Sequence, residues 1–189
     1  MTLIIGACGR ARHGKTDFCE AIRDYCLRIP YSAKLYDIGD MIRRWCIATG
    51  RLPQVERKDM TREQLQVLID GGKIRRGLEG NNIWMLDLMQ QIEKDSFDVA
   101  LVPNIRYQFE AQTIQAAGGY NVRMRRLNLD GSTFISEDRP PNDITETNME
   151  FWPADAYLTT VEGQVDLIGP MAVTIFKYFL WKKGGEIHV

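Results

Sequence analysis

Residues 9–16 read Gly9-Arg10-Ala11-Arg12-His13-Gly14-Lys15-Thr16, a full match to the pattern G-x-x-x-x-G-K-[ST]. Glycines let backbone N–H groups turn inward around an anion. A helix that starts near Gly14 would aim its positive end at the same point. The Lys15 ammonium suits β and γ phosphate oxygens, and the Thr16 hydroxyl suits Mg²⁺. The chemistry on offer is the binding of a nucleotide's phosphates. A second group of reactive types stands in "ALVPNIRYQFEAQTIQAAGG". There an apolar run would deliver Asn104 and Arg106 to the edge of a sheet. Glu110 follows Arg106 by one helical turn, so it could orient the guanidinium, or the two form an ordinary surface pair.

These residues need elements to hold them. Leu3-Ile4-Ile5 is a short apolar run of the kind a buried parallel strand has. After Thr16, the residues Phe18, Cys19, Ile22, Cys26 and Leu27 recur at helical spacing, and Pro30 stops them. Residues 33–40 read as a second strand and turn, and 41–48 as a helix. "TREQLQVLID" reads as a helix with Thr61 as N-cap and Gln64 completing a capping box. Gly71-Gly72 would close it, leaving 73–81 as a basic loop. "NNIWMLDLMQQIEKD" is an amphipathic helix. A buried strand at 97–104, a helix closed by Gly118-Gly119 and an alternating strand at 120–127 follow. Residues 128–154 carry Pro140, Pro141 and Pro153 and read as a lid. A last strand at 155–160 and a helix at 165–182 complete the chain. Strands that alternate with helices imply an α/β fold whose parallel sheet is covered on both faces. Ligands in such folds sit at the carboxyl ends of the strands, where the residues singled out above fall.

The length of 189 residues suits one domain, 1–189, with a helical excursion at about 41–81. A net charge of −1 argues against bulk attraction to a polyanion. Local clusters remain at Arg10/Arg12/Lys15, Arg43/Arg44, Lys73/Arg75/Arg76 and Arg123/Arg125/Arg126. Each suits a grip on a few phosphates or a plain solvated face. Cys8, Cys19, Cys26 and Cys46 form no C-x-x-C pair, which argues against zinc and for small core residues in a reducing compartment. No signal-peptide pattern leads the chain, and the apolar tail "LIGPMAVTIFKYFLW" is interrupted and too short for a membrane span. The expectation is a cytoplasmic protein with no membrane partner.

The phosphate loop, "IGDMIRRW", "NNIWMLDLM", "VPNIRYQFEAQTIQAAGG" and "DITETNM" together resemble the deoxynucleoside monophosphate kinases of tailed bacteriophages, from residue 3 to about 180. The resemblance implies a three-layer P-loop kinase with a mostly parallel five-stranded sheet and a lid. It implies ATP and Mg²⁺ as cofactors, with Gly9, Arg10, Ala11, Arg12, His13, Gly14, Lys15 and Thr16 around the ATP phosphates. Thr160 to Gly163 would form the loop against the adenine. Asp40, Arg43, Arg62, Trp84, Asn104, Arg106, Glu110 and Thr145 would surround the acceptor nucleotide, and Thr145-Glu146 match the family's T-E pair. Lys15, Arg106 and Arg139 would carry the transfer, Arg139 as a lid arginine or else a loop charge. The chain departs from the family in its plain GKT where GKDT is common, in Asn104 where Asp is frequent, and in Arg43 where lysine is usual. Trp84 sits on an apolar helix face, so core packing stands beside base stacking.

Three readings of function follow. A nucleotide 5′-phosphate as acceptor is already anionic and needs charge neutralisation and positioning rather than a base. A hydroxyl on a modified pyrimidine in phage DNA would need a base. Asp37 or Asp40 could supply it, unless they cap a helix, with Lys73, Arg75 and Arg76 along the DNA backbone. A P-loop ATPase without transfer ranks last, because the strand at 97–104 lacks a closing acidic pair. The terminal helix with Phe176, Tyr178, Phe179 and Trp181 leaves room for a homodimer.

Overall fold

The computed structural model of the protein describes residues 2–137 and 140–184. Arg139 therefore lies outside the described residues. The elements are β1 (Leu3–Cys8), α1 (Lys15–Cys26), β2 (Ala33–Leu35), α2 (Ile38–Ala48), α3 (Arg62–Glu79), α4 (Ile83–Asp95), β3 (Val99–Ile105), α5 (Gln108–Ala116), β4 (Tyr120–Leu127), α6 (Ile144–Thr147), β5 (Ala156–Val161) and α7 (Ile168–Lys182). The chain packs as two compact units, Met1–Leu35 with Ser96–Val189, and Tyr36–Asp95. No helix among the described residues is long and apolar enough to cross a membrane.

The first unit is built on a five-stranded sheet in the order β2-β3-β1-β4-β5. Every strand pairing in it is parallel, not merely most of them. β1 is buried at all six positions, as a central strand covered on both faces must be. Phe18, Cys19 and Ile22 of α1 pack with Ala172, Phe176 and Phe179 of α7 over Ile5, Val122, Met124 and Leu158. Phe18, Cys19, Ile22 and Cys26 of the 3.6-residue spacing seen after Thr16 form this buried stripe, but Leu27 is exposed, because α1 ends at Cys26 and Leu27 is its C-cap. All four cysteines are buried free thiols.

Pairing of β1 with β3 slips between Gly6 and Cys8, which face Val102 and Ile105. Two steps on one strand thus oppose three on the other, a bulge at Pro103-Asn104. Asn104 takes φ 71°, a left-handed conformation that asparagine tolerates better than most residues. The bulge re-aims the end of the strand just before Arg106.

The second unit is three α-helices and a short 3₁₀ turn at Arg57–Asp59. α2 starts at Ile38, three residues before the expected point, because the Asp37 carboxylate accepts from the Gly39 N–H at 2.7 Å. Asp37 also pairs with Arg57 at 3.1 Å. α3 carries the expected Thr61–Gln64 capping box but does not stop at Gly71-Gly72. It runs through the stretch expected to be a loop, as far as Glu79. A Cβ on Gly71 would lie 2.4 Å from the Cys46 sulfur. The glycines therefore serve close approach of α3 to α2, and Gly80 with φ 106° ends the helix.

Trp84 belongs to the core of this unit. It is 2% exposed, and its indole N–H donates to the Gly72 carbonyl at 3.1 Å. Its ring meets Trp45 edge-on at 5.9 Å, and the Arg75 guanidinium lies 4.6 Å from its centroid. A Trp84→Phe substitution keeps an aromatic ring but leaves the Gly72 carbonyl without this donor. It is expected to cost about 1–3 kcal/mol, read from urea denaturation followed by far-UV circular dichroism. An unchanged midpoint would contradict this role.

Candidate phosphate-binding site

β1 ends at Cys8, and α1 begins at Lys15 with Gly14 as its N-cap in a left-handed conformation, φ 80°. Gly9 takes φ 137°, and a Cβ there would fall 2.3 Å from the Met124 carbonyl oxygen. Both glycines of the motif are thus required by backbone geometry. Arg12 adopts φ 60°, which makes the loop strained at a residue that is not glycine. The loop stands at the carboxyl end of the central strand, and the first turn of α1 opens toward it.

Lys15 is only 5% exposed. Its ammonium donates to the Gly9 and Arg10 carbonyls at 2.9 and 2.6 Å, so it folds back across the loop. Thr16 is exposed in the first turn of α1. Among the described residues no group of three or more His, Cys, Asp or Glu side chains could hold a metal ion. Mg²⁺ bound to nucleotide phosphates keeps several waters and needs only one or two protein oxygens. The exposed Thr16 hydroxyl fits such an ion.

His13 is 3% exposed and pins the loop to β4 and to the segment after it. Its Nε2 lies 2.9 Å from the Phe134 carbonyl, which makes Nε2 the donor. Its Nδ1 lies 3.3 Å from the Met124 carbonyl and 3.4 Å from the Arg126 N–H. Burial pushes the imidazole pKa down. The two carbonyls partly oppose that, and the nearby Lys15 and Arg10 charges add to it. The Arg126 guanidinium lies 4.1 Å from the Phe134 ring centroid.

The β4–β5 connection closes over this loop. The Glu146 side chain, 5% exposed, accepts from the Ala11 N–H at 2.6 Å and from Arg106 Nη1 at 3.3 Å. One carboxylate thus joins the loop to the end of β3. Arg10 donates to the Pro141 carbonyl at 2.9 Å and meets Glu150 at 3.4 Å. Arg123 donates to the Met149, Glu150 and Trp152 carbonyls. In the sequence its cluster with Arg125 and Arg126 suits either a grip on a few phosphates or a plain solvated face. The structure makes it a fastener, for which the sequence carried no local signal. A cavity of about 300 Å³ opens here between Arg10, Arg123, Glu146 and Tyr157.

A central phosphate-type loop, a wholly parallel sheet in this order and a connection folded over the loop form a recognisable set. The fold is that of a P-loop kinase. No family model matches the chain, and no curated protein does. Among solved structures, the APS kinase of Mycobacterium tuberculosis in complex with AMPPNP and APS matches with a TM-score of 0.51 at 15% identity. That match covers 93% of this chain and 98% of the other. Shikimate kinase from Aquifex aeolicus aligns with a TM-score of 0.45 at 15% identity, over 93% and 96% of the two chains.

Within this P-loop kinase fold the remaining candidates separate by unit. Glu110 is buried, and its carboxylate accepts from the backbone N–H groups of Arg106 and Tyr107 at 2.8 and 3.2 Å. It fixes the turn that presents Arg106. Thr145 donates its hydroxyl to Asp143 at 2.7 Å at the start of α6. Thr160 is buried on β5 opposite Arg126, and Gly163 turns the following loop with φ 85°. Asp40, Arg43, Arg62 and Trp84 all lie in the second unit. Arg43 donates to the Val55 carbonyl at 2.9 Å, with Asp40 at 3.6 Å. Arg62 is exposed as the first residue of α3.

The lowered pKa of His13 makes a stability prediction. A depressed folded-state pKa means that the unfolded chain takes up the proton first. The contribution is complete above the unfolded value of about 6.5 and is lost as pH falls toward the folded one. His13→Gln should therefore lose less melting temperature than the parent between pH 7.5 and 5. Equal losses would show that His13 stays uncoupled from folding.

Proposed function

We propose that the protein transfers the γ-phosphoryl group of ATP·Mg²⁺ to a deoxynucleoside 5′-monophosphate. The observation that carries this reading is the single Glu146 carboxylate touching both the Ala11 N–H and Arg106. It brings the donor loop and the arginine after β3 to one point, as transfer between two anions requires. The fold shared with an APS kinase solved with AMPPNP and APS supports the reading at the level of architecture.

The loop N–H groups and Lys15 would hold the donor phosphates, and the Thr16 hydroxyl would hold Mg²⁺. That ion would neutralise charge on the transferring group. Arg106, aimed by the Asn104 bulge and the Glu110 turn, would meet the acceptor phosphate with two parallel bonds. The acceptor is already an anion near neutral pH, so Asn104 in place of a carboxylate costs nothing in proton transfer. The connection between β4 and β5 would act as a lid that keeps water from the donor.

The test is to incubate the protein with labelled ATP, each deoxynucleoside monophosphate, and duplex DNA carrying hydroxymethylpyrimidines. Label on a monophosphate is expected. Label on DNA alone, or hydrolysis without an acceptor, would overturn the assignment. Lys15→Ala should lower transfer by about a thousandfold or more, because it removes the charge from the donor phosphates. Near-normal turnover would refute the cradle. Arg106→Ala should reduce kcat far more than it weakens ATP binding, and an unchanged kcat would remove Arg106 from the site.

A further inference from the structure

The loop's inward N–H groups are built for a phosphate oxygen. The Ala11 N–H already has an anionic partner, Glu146 Oε2 at 2.6 Å. This carboxylate is almost fully buried, which is unfavourable for a charge unless it is well paired. Among its partners are the loop amide on one oxygen and Arg106 on the other. The strap that carries it is fastened at several of its described residues. Asp143 caps α6 by accepting from the Thr145 N–H at 2.8 Å. Asn148 accepts from the Gln108 N–H and side chain at 2.9 and 3.0 Å. Arg10 and Arg123 tie down Pro141 and the Met149–Trp152 turn.

We propose that Glu146 is an internal stand-in for phosphate, a gate that the donor must displace before the cradle can be filled. The proposal rests on the reading that residues 9–16 bind a donor nucleotide. A carboxylate and a phosphate oxygen cannot share one N–H, and their charges repel. Donor binding and the Glu146 contact therefore exclude each other. Displacement removes the carboxylate from Arg106 as well. The arginine then turns its guanidinium to the next anion that arrives, the acceptor phosphate. The order of events follows from the geometry: donor first, Arg106 re-aimed, acceptor second. Without a donor, Glu146 keeps the loop and the arginine neutralised against each other.

The apparent affinity for donor is reduced by the fraction of molecules in which Glu146 holds the loop. Glu146→Gln keeps the size of the side chain and removes its charge. Binding of AMPPNP with Mg²⁺, measured by isothermal titration calorimetry, is expected to tighten by about tenfold in this variant, the scale of one charge-assisted hydrogen bond. Equal or weaker binding, with the parent still binding, would overturn the gate alone. It would make Glu146 a passive or donor-assisting group. No binding by either protein would overturn the donor reading and the gate together. Hydrogen exchange on the parent protein supplies a second measurement that needs no variant. Amides of residues 144–150 should exchange faster when AMPPNP and Mg²⁺ saturate the protein, and unchanged or slower exchange would overturn the gate.

Discussion

A chain that turns from a buried central strand into a helix within six residues leaves loop and first-turn N–H groups without intrahelical partners, and an anion suits them well. The rest of the first unit can be understood from that arrangement. β1 has to be apolar throughout because its neighbours cover both faces. Gly9 and Gly14 have to be glycine because side chains would strike Met124 and strain the backbone. Lys15 has to be long and cationic, and its ammonium reaches back to the loop's own carbonyls. His13 holds the loop's curvature from beneath by donating to the Phe134 carbonyl and accepting from the Arg126 N–H on other segments. The anion in this structure is a side chain of the same chain.

The β4–β5 connection shows how a polar, proline-containing segment can be held without a core of its own. Arg123 is the principal means. A guanidinium offers five N–H donors in a rigid plane, and the carbonyls of Met149, Glu150 and Trp152 use them. The result is a strap tied to a rigid strand at one end and to the loop by Arg10 and Glu146 at the other.

The second unit draws its order from a different source. Gly71 and Gly72 let two helices come close, and Trp84 fills the space beside them. A glycine pair after a helical run reads locally as a stop. Here it is a point of contact, because the Cys46 sulfur of another helix takes the room that a methyl group would need. Local rules could not tell the two apart, since both demand the absence of a side chain and only the neighbour differs.

The sequence alone determined the phosphate loop, the alternation of strands and helices, the burial of the cysteines and the capping box at Thr61. Each depends on residues within a few positions of one another, where periodicity and backbone preference act directly. The tertiary structure decided the rest. It made the sheet wholly parallel, set the Asn104 bulge by register against β1, and turned Arg123 from an apparent surface residue into a fastener. Above all it placed Glu146 on the amide of Ala11, far away along the chain. Nothing near either residue requires that contact. It exists because the fold returns the chain to the carboxyl end of β1, where an anion is wanted.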